Sequence, residues 1–598
     1  MVRLRGAARP KRRSTPARAR ARGPPASSWR PPGPSWVSAE GSRRCWPASR
    51  SRACRGGVVN MRTANEKRQG RRVLSVIALL LSLACGEEAP TATAPAKPSV
   101  PTLPPVATST SAPPASLTQL AVDSFDAGIE GWHSWGEEGA LVEVAWDPTG
   151  QLLWSVDLQP ATAAILIREW PELAGADGVT IRLRSRHRFS FLILAVQEAD
   201  ESGYGLILPL SAGRSTEYML PFESFGLLDD SKDENGVLDS DQLSRLMIID
   251  IAGFLGLPTP NEVEIGEVVL WSGTVAPFDL SCSAAGPATA DADFRVGVDA
   301  NYVPLGEQTG HGFTVGERSV DPIELFAANG ADSFRVRLWL GDEGESKLSY
   351  ATDVARRAQD AGLRPYLVLF LAEDWADVNK QPAPEAWADL SLDDRAEAIR
   401  SYTREAAQHF RDESVDIDFY EIGNEIDYGI CGVFAEVTEE RDPPSLRETI
   451  WPAEAQMIRS AIDGVREADP DARFMLHIAN SWDPDFAVAF FQAMTDLGVT
   501  YDYVGLSLYP SAFGVAATSQ FCSVLDALET EIGKPVILAE TAYPAEPTTG
   551  GPFGDWRRPL PGYSLTSDGQ ARWVSDLLAG MRARSDVVGV YYFSPEFW

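Results

Sequence analysis

A chain of 598 residues with 44% hydrophobic and 23% charged residues has the make-up of globular protein, and its length requires more than one folded domain. With 84 Asp and Glu against 53 Lys and Arg the net charge is -31, although residues 1–60 carry 15 Lys and Arg against the single acid Glu40. The part after Arg72 is therefore strongly acidic and holds no concentrated basic patch, which excludes nucleic acid as a partner and leaves a neutral, hydroxyl-rich polymer acceptable.

Residues 1–60 are rich in Arg, Pro, Ser and Ala, lack apolar periodicity, and precede a second methionine, Met61; they are expected to be an over-extended, non-native leader. Arg62, Lys67, Arg68, Arg71 and Arg72 then flank the apolar run 73–84, which ends at Cys85 and is too short to span a bilayer as a mature helix. Residues 61–85 read as an export signal. Small Ala84 before Cys85 resembles a bacterial lipoprotein signal, with Ser82 where Leu is usual. The expected protein is exported and attached to a membrane through lipid on Cys85; a freely secreted form and an uncleaved anchor are the alternatives. Residues 86–118, dominated by Pro, Thr, Ala and Ser, form an extended tether.

Between 119 and 277 the pattern becomes short alternating runs separated by turn residues, at 151–156, 179–183, 189–196, 204–208, 246–251 and 264–270. Strands of this length without intervening helices predict an antiparallel sandwich. The DSFD run at 123–126 with Gly131-Trp132, the LPF run at 220–222 and the VEIGEVVLW run at 263–271 resemble jelly-roll modules of the carbohydrate-binding and galactose-binding-like type. Trp132 and Trp135 either stack on sugar rings or fill the core and the contact with the next domain.

After an Ala-rich connector at 278–293, strands at 295–298, 334–338, 366–370, 419–422, 474–478, 503–506, 536–539 and 587–592 alternate with helices at 322–329, 351–359, 395–410, 453–465, 486–494, 522–528 and 570–581. Met457, Ile458, Ile462 and Val465 lie on one helical face, as do Trp573, Leu577 and Met581. Continuous apolar strands alternating with amphipathic helices predict a (β/α)8 TIM barrel over 294–598, with its site at the C-terminal ends of the strands. The expected architecture is thus α/β, a TIM barrel preceded by an all-β jelly-roll sandwich. No helix follows the last strand, so either the chain is a piece or the sandwich covers that gap.

Cys45 and Cys54 fall in the leader and Cys85 would carry lipid, leaving Cys282, Cys431 and Cys522. Either one disulfide forms, Cys431 with Cys522, both expected in loops at one barrel end, or three thiols stay unpaired. Their spacing matches no metal-ligand pattern.

Two runs, YEIGNE at 420–425 and VILAET at 536–541, carry an apolar strand straight into a glutamate. Glu425 after strand four and Glu540 after strand seven are expected to face each other across the barrel mouth, as cleavage of a glycosidic bond needs. Asn424 can hydrogen-bond a sugar hydroxyl, and Arg337 at a strand end either holds a carboxylate ionised or forms a structural ion pair. Trp339, Trp375, Trp387, Trp556 and Trp598 either hold successive sugars or pack on the rim.

GVDANYVP at 297–304, RVRLW at 335–339, WADVNKQ at 375–381, GNEI at 423–426, MLHIANSW at 475–482, GLSLYP at 505–510, ETAYP at 540–544 and residues 589–598 resemble, in order, the landmarks of glycoside hydrolase family 53. That resemblance implies a retaining arabinogalactan endo-β-1,4-galactanase with Glu425 as acid/base and Glu540 as nucleophile. It further implies a sugar site lined by Asp299, Arg337, Trp339, Trp375, Asn424, His477, Asn480, Tyr509, Phe593 and Trp598, and a monomer acting on a galactan-like polysaccharide. Two carboxylates about 5 Å apart do not ionise easily together, so Glu425 is expected to titrate high while Glu540, supported by Arg337, stays charged. No cofactor is expected. Some family members bind calcium in the loop matching 545–564, whose acids here are only Glu546 and Asp555.

Two departures bear on substrate. Phe370-Leu371-Ala372-Glu373-Asp374 stands where the family has His-Tyr-Ser-Asp, and Phe593-Ser594-Pro595 where it has Trp-Glu-Pro. A lost hydrogen bond to a hydroxyl changes which epimer is preferred. The alternatives are therefore a retaining β-glycosidase of the same clan acting on another polysaccharide, or a surface polysaccharide-binding protein without turnover.

Overall fold

The computed structural model describes residues 116–597 except 160, 229–230, 232, 234, 256–259, 283–293, 311, 316, 342–343, 437–440 and 549–555. The leader, the export segment with Cys85, most of the tether, Asp555 and Trp598 lie outside the described residues. Among the described residues no helix is long and apolar enough to cross a membrane.

Residues 116–274 form two six-stranded antiparallel sheets. Strands β1 (Ser116–Asp123), β3 (Leu141–Asp147), β4 (Gln151–Asp157), β6 (Gly178–Ser185), β9 (Ser215–Pro221) and β12 (Asn261–Thr274) make the first, in the order β3-β4-β12-β6-β9 with β1 also on β12. Strands β2 (Trp132–Gly136), β5 (Ala164–Glu169), β7 (Ser190–Glu198), β8 (Gly203–Leu210), β10 (Gly226–Leu227) and β11 (Leu243–Asp250) make the second, in the order β10-β8-β7-β11-β5-β2. The period of two along each strand sends Leu152, Trp154 and Val156 of β4 and Leu192, Leu194 and Val196 of β7 into one core. Trp132 takes the packing alternative: it is buried in that core and its indole N–H donates to Asp123 at 2.8 Å. The second sheet is apolar on its other face too, through Ile165, Ile167, Ile193, Ile207, Met247 and Ile249. Trp135, Phe254 and Leu255 of the sandwich and Phe513 further along the chain pack on that face.

Eight parallel strands close a barrel: β13 (Arg295–Asp299), β14 (Ser333–Leu338), β15 (Arg364–Leu369), β16 (Tyr420–Ile422), β17 (Phe474–Ile478), β18 (Tyr503–Leu508), β19 (Val536–Thr541) and β20 (Val587–Phe593), with β20 pairing back onto β13. Helices α1 (Pro322–Ala328), α2 (Leu348–Asp360), α3 (Leu392–Asp412), α4 (Trp451–Ala468), α5 (Pro484–Asp496), α6 (Val515–Glu531) and α7 (Ser567–Arg582) lie between successive strands. Met457, Ile458, Ile462 and Val465 of α4 and Trp573, Leu577 and Met581 of α7 are all buried, as their spacing predicts. Side-chain oxygens of Asp321, Ser391, Asp483 and Thr566 cap α1, α3, α5 and α7.

The expected disulfide is corrected. Cys282 pairs with Cys522 across 240 residues, and Cys431 is a buried free thiol. Cys522 lies on α6, not in a mouth loop, whereas Cys431 sits in the tight turn between the strand pairs Gly429–Ile430 and Val433–Phe434, its carbonyl held by Arg395. Burial pushes the Cys431 thiol up to about 12, so it stays protonated. The bridge fixes the connector to the barrel. Just before it, the Phe278 amide donates to Pro561, and the Leu280 carbonyl lies where a side chain on Gly580 of α7 would stand, 2.1 Å from a Cβ built there.

Candidate active site

The sequence SFRVRL of β14 alternates, so Phe334, Val336 and Leu338 face the helices while Ser333, Arg335 and Arg337 point into the barrel. Both arginines are fully buried, and each needs carboxylates there. Arg335 is the hub. Its guanidinium reaches Asp299 at 2.8 Å, Glu421 at 2.7 and 3.1 Å, Glu540 at 2.6 Å and the Asn424 side-chain oxygen at 2.7 Å. Burial alone would lower the Arg335 pKa, but Glu421, Glu540 and Asp299 more than reverse this and keep it charged. Arg337 instead takes Asp299 at 2.7 and 3.1 Å, and the rings of Tyr302, Trp375 and Phe593 lie within 5.0 Å of its guanidinium carbon. The expectation that Arg337 supports Glu540 is therefore corrected: Arg335, one step of the same alternation earlier, does so. Period two identifies the inward face but not which layer of the barrel a side chain occupies.

Glu540 lies near the end of β19 with both oxygens engaged, Oε1 by Arg335 and Oε2 by the Tyr509 hydroxyl. Trp556 packs against Tyr509 with ring centroids 4.7 Å apart and the rings tilted by 42°.

Glu425 follows β16 in a left-handed turn, with φ of +76° at Gly423 and +49° at Glu425 itself. A Cβ at residue 423 would stand 2.4 Å from Ile426, so the glycine of GNE is required on both counts. A non-glycine residue at positive φ is strained, and the surroundings hold it there. The loop after β15 grips the turn: Gln381 donates to the Asn424 carbonyl at 2.8 Å, Asn424 donates to the Ala376 carbonyl at 2.9 Å, and the Val378 amide approaches Glu425 Oε2 at 3.4 Å. Trp375 and Asp377 of that loop bond to each other at 2.8 Å. Ser507, the register partner of Glu540 on β18, donates to Glu425 Oε1 at 2.6 Å. Burial first, then the charge of Glu540 and that of Asp377, hold the Glu425 carboxyl well above its ordinary range, the direction expected from sequence.

His477 does not reach this surface directly. Its Nε2 lies 2.9 Å from Ser507 Oγ and its Nδ1 lies 2.8 Å from Glu421 Oε1. Burial would raise the Glu421 carboxyl, but Arg335 and His477 hold it down at about 2. A carboxylate only accepts, so His477 Nδ1 carries the hydrogen toward Glu421. The backbone amide of Asn480 donates to Asp427 and its side-chain oxygen receives the Asp483 amide at 3.0 Å.

Among the aromatics, Trp339 is buried edge-on to Phe370 at 6.2 Å, and Phe370 is 5.5 Å from Trp375. Phe593 lies 6.2 Å from Trp375 and 5.8 Å from Tyr509. The structure thus brings Asp299, Arg337, Trp375, Asn424, Tyr509, Phe593 and the two glutamates together, while Trp387 packs on Tyr402 of α3. Sequence reasoning missed Arg335, Glu421, Ser507 and Asp377. An arginine and a glutamate inside otherwise apolar strands are the signal that could have found the first two. It also missed Glu596, whose Oε1 accepts from the Tyr302 amide and whose Oε2 has no partner among the described residues.

Loss of the Ser507 hydroxyl removes a bond that favours ionised Glu425. Ser507→Ala is therefore expected to raise the Glu425 pKa further and move the alkaline limb of a kcat/KM profile to higher pH, a shift in the opposite direction being incompatible with this geometry.

Other buried acids give a second pH effect. Burial lifts Asp427 to about 6, Asp483 to about 7 and Glu596 to about 7, and raises Glu454, both of whose carboxylate oxygens lack hydrogen-bond partners among the described residues. Each binds its proton more tightly folded than unfolded, so stability falls as pH rises from about 4 through 7. Glu421 works the other way, its contribution present above about 4.5 and lost as pH falls toward 2. Melting temperature is expected to peak in mild acid and to lie several degrees lower near pH 7.5, and Glu454→Gln is expected to flatten that decline.

A closed parallel barrel with one high-titrating glutamate and one glutamate held by an arginine and a tyrosine is the arrangement of a barrel glycosidase. The chain belongs to glycosyl hydrolase family 53, whose model matches residues 295–598. It is 28% identical over 309 residues to arabinogalactan endo-beta-1,4-galactanase A of Emericella nidulans, spanning 50% of this chain and 84% of that one. A probable arabinogalactan endo-beta-1,4-galactanase A of Aspergillus tubingensis is 27% identical over 290 residues, 46% of this chain and 77% of its own length. A solved structure of fungal beta-1,4-galactanases aligns with 50% of this chain and 89% of its own at 25% identity and a TM-score of 0.45.

Proposed function

We propose that the chain is a retaining endo-β-1,4-galactanase in which Glu425 is the acid/base and Glu540 the nucleophile. The observation that carries this reading is the difference between the two carboxyls: Glu425 is pushed toward the protonated form, while both oxygens of Glu540 are held by donors. Protonated Glu425 gives its proton to the glycosidic oxygen as Glu540 attacks the sugar carbon, forming a covalent glycosyl ester and releasing the leaving chain. Ionised Glu425 then takes a proton from water, which attacks that carbon and frees Glu540, with net retention.

Ser507 serves both halves. When Glu425 is protonated, the serine oxygen can accept from it; when Glu425 is ionised, the serine turns its proton to the glutamate. Asp299, Arg337, Trp375, Asn424, Tyr509 and Phe593 line the sugar-binding surface in this reading, with Trp339 behind Phe370. The galactan substrate rests on family membership and on the names of the relatives. A second sugar is favoured by one observation, the apolar Phe370 and Phe593 where the family carries polar or Trp-Glu residues. Incubation with β-1,4-galactan beside xylan, mannan and β-glucan, reading reducing ends and product size, tests this: short galacto-oligosaccharides are expected, cleavage of another glycan alone would replace the substrate, and binding of galactan without cleavage would replace the enzyme by a binding protein.

The sandwich is proposed to be a jelly-roll of the carbohydrate-binding type, and residues 61–85 an export signal that leaves a monomeric protein tethered through lipid on Cys85. Mass spectrometry of the membrane-bound form tests the latter, with a lipid-modified Cys85 at its N-terminus expected.

A further inference from the structure

Tyr509, one of the two groups on Glu540, immediately precedes the short helical turn Pro510–Phe513. Arg558 is bound to that turn twice, and a neighbouring residue reaches Tyr509. Its amide donates to Ser511 O at 3.2 Å, its Nη1 donates to Ala512 O at 2.8 Å, and two residues earlier Trp556 packs against Tyr509 with the rings tilted by 42°. The same guanidinium also crosses to the sandwich, where Nε donates to Gly205 O of β8 at 3.3 Å. Its stem fills the space before Gly226 of β10, so that a Cβ there would lie 3.0 Å from Arg558 Cγ and 3.1 Å from Nε.

Neighbouring contacts hold the two bodies together on this side. Phe513 packs on the outer face of the second sheet and lies 4.6 Å from Trp482, which meets Phe191 of β7 at 5.7 Å. Ser211, just past β8, donates to Asp483 at 3.4 Å. The Cys282–Cys522 bridge ties the connector to α6, which begins directly after this turn.

We infer that Arg558 is a positioning residue, transmitting the placement of β8 and β10 of the sandwich through Pro510–Phe513 and Trp556 to Tyr509, and from there to Glu540. The inference deepens the proposed function and rests on Glu540 being the nucleophile. Gly226 and Arg558 lie on the route from the sandwich to Tyr509 and not on the two glutamates, so a loss of turnover in their variants is expected to travel along it. A small displacement of a positioned group is enough to slow chemistry without weakening substrate binding.

The test uses the full chain with Gly226→Ala, Arg558→Met, Arg558→Lys and the Gly226→Ala/Arg558→Met double variant. Two readouts are taken: hydrogen exchange of peptides spanning 507–516, and kcat and KM on galactan. Faster exchange in 507–516 is expected in Gly226→Ala and Arg558→Met. With it, kcat is expected to fall about threefold to tenfold and KM to change less than about twofold. Arg558→Lys should recover part of the loss, and the double variant should be no worse than Arg558→Met. Exchange in 507–516 like that of the unaltered chain, or losses that multiply in the double variant, would overturn the inference. Should the unaltered chain fail to cleave galactan, the proposed function falls, while the exchange readout still decides whether the sandwich reaches Tyr509.

Discussion

Glu425→Gln is expected to lower kcat on galactan by ~10³-fold, because an amide can neither protonate the leaving oxygen nor deprotonate the water. The loss should be much smaller for the first step on an aryl galactoside whose phenolate leaves without help. Glu425→Ala in azide should regain turnover and release the β-galactosyl azide, since a small anion then replaces the water that Glu425 would have activated. Glu540→Gln has no such escape, as its attack forms the covalent intermediate, and aryl galactosides should be lost along with galactan. Equal losses on both substrates for Glu425→Gln would mean that the roles are reversed or that neither glutamate acts as assigned.

Arg335→Met carries the second large effect, on stability and activity together. The arginine is fully buried and bonded to Asp299, Glu421 and Glu540. Removing it leaves buried carboxylates facing one another with a lost counter-charge, which costs about 3–5 kcal/mol. The remaining acids should take up protons, so Glu540 would be less nucleophilic at neutral pH and residual activity should fall by more than the folded fraction does. Arg337→Met should be milder for Glu540, because Arg337 bonds Asp299 and not the nucleophile. Chemical denaturation of both variants, with kcat corrected for the folded fraction, checks the order. An Arg337 variant that loses more turnover than the Arg335 variant would argue against the hub.

Sequence made the barrel legible because its signal is redundant. Eight apolar runs and the helical faces of Met457, Ile458, Ile462 and Val465 repeat one message, and both glutamates sit at strand ends where a local pattern places them. The assignment of partners was not legible in the same way. Arg335 and Arg337 share a strand face, and only the closed barrel decides which one lies level with Glu540. His477 stands in a matching motif yet reaches Glu425 only through Ser507, while the side-chain oxygen of Asn480 is engaged by the Asp483 amide.

The disulfide failed for a related reason. Pairing depends on where the connector runs over α6, and the sequence of Cys282 carries no trace of that path. The sandwich was half legible: β4 and β6 alternate plainly and β7, β8 and β11 are apolar runs, whereas β2 and β10 are short edge strands and β1 continues directly from the Pro-rich tether. Trp132 could have faced either way, and the fold puts it in the core.

The measurement that tests the central claim most directly is proton NMR of β-1,4-galactan during the first minutes of cleavage by the unaltered chain, following the anomeric signals of the new reducing ends before they mutarotate. The account predicts β-anomers appearing first and α-anomers only later, as double displacement through Glu540 requires. New reducing ends that appear first as α-anomers would mean a single inverting displacement, and the assignment of Glu540 as a covalent nucleophile would be wrong.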